Sequence, residues 1–151
     1  MPKRKPSQRR KPENTPEQPR NRLAEIRAEI QDVQQQIETK RREGRVIRTA
    51  EDFKSMERAL AALTNRLSAL LMAEATQAAL DDTENRHQAR SFAQGAGHTI
   101  KDQGRRDVTL RTTCGPIIIR TTYFSRNCDR SKASKGMYPM LLLWGVQDRC
   151  T

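Results

Sequence analysis

The apolar residues of the long middle segment recur at intervals of three and four, which is the spacing of one face of an α-helix. A first apolar stripe consists of Leu23, Ile26, Ile30, Val33 and Ile37. A second apolar stripe consists of Phe53, Met56, Leu60, Leu63, Leu67 and Leu70. The two stripes predict two helices whose apolar faces pack against each other as the seam of a coiled coil.

The segment between the stripes carries signals that end one helix and begin another. Gly44 interrupts the first pattern, and Thr49 with Asp52 three residues later resembles a capping arrangement. Because the connection is short, we expect the helices to run antiparallel, so residues 23–94 are predicted to form a long helical hairpin. Packing within this hairpin explains the stripes, but a single hairpin buries its seam only partly. Self-association into a homo-oligomer is therefore a further hypothesis.

After the helices, the apolar pattern changes to a period of two, which is typical of β-strands. Val108, Leu110 and Thr112 share one face of a first strand, and the Cys114-Gly115-Pro116 sequence supplies turn chemistry. The following residues, 117–124, are rich in β-branched and aromatic side chains, as a second strand should be. We expect a basic β-hairpin and a degenerate knuckle over residues 107–135.

Composition sets the remaining boundaries. Residues 95–106 contain three glycines and are predicted to be a flexible connector. Residues 1–22 hold eight Lys or Arg, two Glu and five of the seven prolines, so they are predicted to form a disordered basic arm. The predicted fold class is thus mainly α with a small β-hairpin (α+β), built on a long antiparallel helical hairpin.

The composition also limits the compartment. Only 34% of the residues are hydrophobic and 4% aromatic, so the core should be thin. The longest apolar run, Met140 to Trp144, is far shorter than the roughly 20 residues of a bilayer span, and no secretory signal follows the charged N-terminus. Three cysteines, an odd number, favour free thiols. We expect a cytoplasmic protein without a membrane partner.

The formal net charge of +11 is unevenly distributed. Residues 23–100 carry 11 basic and 12 acidic side chains, whereas residues 101–135 carry nine basic and three acidic ones. Two basic ends joined by a neutral rod indicate a polyanionic partner, with DNA preferred over an anionic membrane. A solubilising tail and a solvated ribbon face are the alternative interpretation. The cations predicted to contact DNA are Lys3, Arg4, Lys5, Arg9, Arg10, Lys11, Arg105, Arg106, Arg111, Arg120, Arg126, Arg130 and Lys132.

The sequence offers no catalytic or metal-ligating set. It contains two histidines, no glycine-rich phosphate loop and no Ser-His-Asp context, and the acidic group at Asp81, Asp82 and Glu84 is typical of a solvated helix end. A zinc knuckle needs two thiolates about two residues apart, but Ser131 lies where the partner of Cys128 would be. No catalytic residue, metal ligand or cofactor is therefore predicted.

The run "GRRDVTLRTTCGPIIIRTTYFSRNCDRS", followed by "MYPMLLLWGVQDRCT", resembles the N-terminal region of bacterial insertion-sequence transposases of the Kra group and its relatives. In that family a helical, often basic leader precedes two strands, a cysteine-containing knuckle and a leucine-rich stretch. The matching positions are Val108, Leu110, Arg111, Thr112, Gly115, Ile119, Arg120, Tyr123 and Cys128. Many members have a C-x-x-C pair where this chain has Cys128 and Ser131.

The resemblance implies a DNA-binding and assembly portion of a transposase, truncated before the catalytic domain. The family's RNase-H-like domain, whose acidic triad holds divalent metal, would follow residues 136–151, which look like the start of that missing domain. No catalytic residue is carried over, so this chain is not expected to be an enzyme by itself. The alternative function is a basic coiled-coil module that binds another protein without DNA specificity.

Overall fold

The computed structural model describes residues 21–95, 100–126 and 136–150, and it confirms a mainly α fold with one two-stranded antiparallel hairpin. The predicted arm at residues 1–20 and the predicted knuckle at residues 127–135 lie outside the described residues. The α-helices and β-strands are, in chain order, α1 (Arg22–Glu43), α2 (Ala50–Asp81), α3 (Thr83–Gly95), β1 (Ile100–Thr112), β2 (Gly115–Arg126) and α4 (Pro139–Leu143). Short 3-10 turns occupy Gly44–Val46 and Gln147–Arg149. None of the described helices is long and apolar enough to cross a membrane.

The start of α2 confirms the predicted cap. The Asp52 N–H donates to Thr49 Oγ1 at 3.1 Å, and the Thr49 N–H donates to Asp52 Oδ2 at 3.0 Å. These reciprocal bonds satisfy main-chain donors that the first helical turn leaves without partners. The hydrogen bond with the Thr49 side chain and the main-chain bonds of Arg48 and Thr49 lower the pKa of Asp52 below its ordinary value.

The seam between α1 and α2 is closed at one end and open at the other. Ile26, Ile30, Val33 and Leu70 are buried, and these residues share one apolar cluster with the strands and α4. The next seam residues are half-buried: Leu23, Ile37, Met56, Leu60, Leu63 and Leu67. Phe53, predicted as a seam residue, is 59% exposed and is therefore not buried between α1 and α2. At the turn between the helices, Val46 is also 63% exposed.

The predicted two-helix hairpin is followed by a separate third helix. At Asp82 the backbone leaves the helical region, with φ −61° and ψ 134°, and the Asp82 carboxylate accepts the Asn85 N–H at 3.1 Å. Asp82 therefore ends α2 and caps the start of α3. The acidic cluster that was interpreted as a solvated helix end is a break between two helices.

The strands begin earlier than predicted. Residues 100–106, expected to belong to a flexible connector, are part of β1, and the register shifts between Asp102 and Arg105. Gly104 lies in this irregular segment with φ +79°, a conformation that residues with a Cβ rarely adopt. Gly104 therefore serves a β-bulge, and a glycine-rich composition alone does not distinguish a bulge from a linker.

Residues predicted to share a face of the ribbon do share one. Val108 pairs with Ile119 and Leu110 pairs with Ile117, and all four side chains are buried in the main core. Ile118, on the opposite face, is 48% exposed. Alternation along the strands thus determines which residues face the main core.

Residues 136–150 belong to the same core as the helices and the ribbon. Met137 and Phe124 form two main-chain hydrogen bonds with each other, at 2.8 and 2.9 Å. Cys150 pairs with Leu110 in an isolated antiparallel β-bridge. The Leu141 side chain is fully buried. This segment was predicted to begin another domain. In the structure Met137, Met140 and Leu141 are buried, whereas Leu142, Leu143 and Trp144 are 37%, 44% and 37% exposed.

We predict that replacing Ile26 with Ala lowers the free energy of unfolding by about 3 kcal/mol, because the side chain is fully buried. The matched change of Phe53 to Ala should lower it by less than about 1 kcal/mol, because most of this ring is in solvent. Urea titration followed by circular dichroism measures both. Equal losses would show that the ring is buried in solution.

Candidate nucleic-acid interface

The ribbon is fixed to α2 by the side-chain amide of Gln77. This side chain is fully buried, its Oε1 accepts the Arg120 N–H at 2.7 Å, and its Nε2 donates to the Arg120 carbonyl at 3.0 Å. Nε2 also donates to Asp81 Oδ1 at 3.1 Å. A buried amide in this position replaces the neighbouring strand that the outer edge of β2 lacks.

Arg120, predicted to contact DNA, is paired within the ribbon. Its Nε and Nη2 donate to the two carboxylate oxygens of Asp107, at 2.7 and 3.0 Å, in a two-pronged arrangement. The hydrogen bond with Asp107 raises the pKa of Arg120 above its ordinary value, and the side chain is only 18% exposed. A guanidinium held in this way is a poor candidate for a phosphate contact.

Arg105 is also occupied inside the chain. Its Nη2 donates to the Asp81 carboxylate and, at 3.0 Å, to the Arg120 carbonyl. Arg105 and Gln77 therefore converge on the same strand residue from β1 and from α2. In the structure, Arg105 and Arg120 both hold the ribbon in place. The sequence alone does not distinguish an arginine with this structural role from one that contacts DNA.

Two other predicted cations remain accessible. The Arg106 guanidinium lies 4.1 Å from the centre of the Tyr123 ring, while its residue is exposed. The Tyr123 ring in turn lies 5.1 Å from that of Tyr138, and burial raises the pKa of Tyr138. Arg111 is exposed at the turn end of β1 and forms no ion pair with any residue that the structure describes.

The side chains of the remaining predicted cations lie outside the described residues, so their role stays a prediction. They are Lys3, Arg4, Lys5, Arg9, Arg10, Lys11, Arg126, Arg130 and Lys132.

Sequence reasoning missed a basic pocket between α3 and the ribbon. It has a volume of about 230 Å³ and is lined by Thr83, Arg86, His87, Arg90, Asp102, Thr122 and Phe124. Arg86 and Arg90 are four residues apart, so they lie on the same side of α3. The R-x-x-x-R spacing in a helix was the available signal. The net charge of residues 23–100 does not reveal this pair of arginines, because the segment as a whole is close to neutral.

The two described cysteines are free: Cys114 is exposed in the hairpin turn, and Cys150 is half-buried. Burial raises the pKa of the Cys150 thiol, with the Asp148 charge adding to the effect. Over residues 21–95, 100–126 and 136–150, no group of three or more His, Cys, Asp or Glu side chains could hold a metal ion. Cys128 lies outside these ranges.

No protein-family model, curated protein or solved structure matches this chain. The resemblance to insertion-sequence transposases therefore stays a prediction that rests on the residues quoted for it.

We predict that replacing Gln77 with Leu, which is similar in size, lowers the free energy of unfolding by about 2 kcal/mol, because it leaves the buried Arg120 N–H without an acceptor. Hydrogen exchange of the Arg120 amide should accelerate as well. Gln88, exposed on α3, provides the control, and its replacement with Leu should change neither quantity. Unchanged exchange at Arg120 in the Gln77 variant would contradict this anchoring role.

Proposed function

We propose that this chain is a nucleic-acid-binding protein whose contacts with phosphate lie in its basic N-terminal arm and in the α3 and ribbon region. The observation that carries the proposal is the uneven distribution of charge. All five Lys and Arg side chains of α1 form ion pairs with Glu residues of α1 or α2. In contrast, Arg86, Arg90 and Arg111 are exposed and have no acidic partner among the described residues. These three cations of α3 and the ribbon are therefore available to a polyanion, unlike Arg105 and Arg120.

The wider form of this proposal is that the chain is the DNA-binding and assembly portion of an insertion-sequence transposase. It is supported by the ribbon residues that match the family pattern, and the inward positions among them, Val108, Leu110 and Ile119, are buried. Residue by residue, Arg120 departs from a direct DNA role, because Asp107 pairs with it. Arg111 is the matching cation that remains accessible.

We expect binding of a labelled duplex to weaken steeply as salt rises, because each phosphate contact releases counterions and contributes about 0.9 to the slope of log K against log salt. Changing Lys3, Arg4, Lys5, Arg9, Arg10 and Lys11 to Gln should reduce that slope by up to about 5 if all six contact phosphate. Fluorescence anisotropy at several salt concentrations measures both quantities.

The control for the arm variant replaces Gln8 and Gln18 in the same segment with Ser, which leaves the charge unchanged. Absence of duplex binding at low salt would overturn the proposed function. An unchanged slope in the arm variant would instead assign the binding to the α3 and ribbon region.

A second candidate function is self-association through the open part of α2. Phe53, Leu60 and Leu67 are spaced by seven residues, and Leu71 continues their line. Phe53 and Leu71 are 59% and 48% exposed, so packing against α1 leaves part of this apolar stripe accessible. A second copy of the same helix offers the matching spacing, which favours a homo-oligomer over an unrelated partner.

We predict that the mass measured by sedimentation equilibrium rises with protein concentration, and that replacing Phe53 and Leu71 with Gln shifts the association to higher concentration. Ala62, exposed on another side of α2, supplies the control substitution to Gln, which should leave the mass curve unchanged. A monomer mass at every concentration would contradict this second candidate. A complex with a different protein, formed independently of salt, would favour the coiled-coil module without DNA specificity.

A further inference from the structure

The pocket between α3 and the ribbon is lined by cationic and hydroxyl-bearing residues together with one aromatic residue. Arg86, His87 and Arg90 of α3 line the pocket together with Thr83 and Thr122. Phe124, which is only 7% exposed, forms part of the lining and packs with Ala93 and Met137. These contacts hold α3 beside β2, so the pocket is supported by packed residues on both sides.

The two arginines of this pocket differ from most cations of the ribbon and α1. Arg105 and Arg120 form salt bridges with Asp81 and Asp107, and every Lys and Arg of α1 forms a salt bridge with a Glu residue. Arg86 and Arg90 are exposed and form no ion pair with any described residue. Two guanidinium groups one helical turn apart repel each other weakly, and an anion between them removes that repulsion.

The acidic residue of the lining is already engaged. The Asp102 Oδ1 accepts the Gly104 N–H at 2.7 Å and thereby stabilises the β-bulge of β1. Neither Arg86 nor Arg90 forms a salt bridge with this carboxylate in the described part of the chain. Asp102 therefore leaves the arginines available, although its charge opposes an anion at this place.

The size of the pocket limits which ligands it can accommodate. Its volume of about 230 Å³ lies below the range of roughly 300 to 1,000 Å³ that is usual for sites enclosing a whole small molecule. It can accommodate a tetrahedral phosphate group with part of its substituents. Arginine is the side chain best suited to phosphate, since its planar donors can bind two oxygen atoms at once.

We propose that the pocket formed by Arg86, His87 and Arg90 of α3 with Thr122 of β2 binds one phosphate group of a nucleic-acid backbone. This inference rests on the proposed function and assigns to it a particular phosphate contact. Because α3 and the ribbon are joined by the Phe124 cluster, the site positions the nucleic acid beside the ribbon, where Arg111 is also exposed.

The test compares the whole chain with the double variant Arg86→Gln, Arg90→Gln in duplex titrations at several salt concentrations. The variant should bind about tenfold to a hundredfold more weakly at moderate salt, since hydrogen bonds to charged groups are lost, and its salt slope should fall by about 1. The matched control is Arg58→Gln, Arg66→Gln, which removes the same charge from exposed positions of α2. This control should keep the slope of the unaltered chain.

A third variant gives an effect of the opposite sign. Asp102→Asn removes the negative charge from the pocket while its amide oxygen can still accept the Gly104 N–H, so duplex binding should become severalfold tighter. Thermal unfolding of all variants checks that the fold persists, and exposed positions should leave the melting temperature nearly unchanged.

Titration with inorganic phosphate at constant ionic strength, followed by chemical shifts of the Arg86 and Arg90 side chains, distinguishes the two sources of phosphate. Weaker duplex binding in the α3 variant alone supports the inference. If the chain binds duplex but the α3 and α2 variants weaken it equally, the inference falls while the proposed function stands. The inference would also be overturned if inorganic phosphate saturated the pocket while duplex binding did not depend on Arg86 and Arg90. If the unaltered chain binds no duplex, the proposed function itself fails.

Discussion

The outer edge of β2 is the constraint on which the arrangement of the ribbon depends. A two-stranded ribbon leaves the main-chain groups on its outer edges without strand partners, and such groups are costly to bury unpaired. In this chain the buried Gln77 amide binds both main-chain groups of Arg120. Farther along β2, Arg22 donates to the Ile118 carbonyl at 3.1 Å, and Met137 pairs with Phe124. Because these partners come from α1, α2 and the C-terminal segment, satisfying the edge also fixes the ribbon against the rest of the fold.

The same constraint divides the arginines into two groups. Arg105 and Arg120 lie close to the Gln77 anchor and are drawn into ion pairs with Asp81 and Asp107, so they serve the packing of the ribbon. The cations of α1 are paired with Glu residues, whereas Arg86 and Arg90 of α3 form no ion pair with any described residue. A basic protein therefore offers fewer ligand contacts than its net charge suggests. Local carboxylates decide which cations remain available to a polyanion, and in the α3 and ribbon region these include Arg86, Arg90, Arg106 and Arg111.

Much of the fold could be predicted because its signals are local. The Thr49–Asp52 cap, the apolar stripes and the alternation along the ribbon each depend on residues within a few positions of one another. The break at Asp82 and the bulge at Gly104 were missed because their local signals also fit other structures. An acidic pair followed by Thr can end a helix in solvent or start a new one, and a glycine can lie in a linker or a bulge.

The candidate site depended far more on contacts between distant residues. No spacing in the sequence indicates that Arg120 meets Asp107 while Arg86 and Arg90 remain unpaired beside Thr122, since strand register and helix placement create these proximities. The sequence by itself determined the class of fold, the residues that share a face of each helix and strand, and the excess of positive charge. Only the tertiary structure decided how far the helical seam is closed and which cations are accessible. The physical reason is that burial and ion pairing depend on neighbours in space, and the packing of the ribbon, α3 and α4 supplies those neighbours.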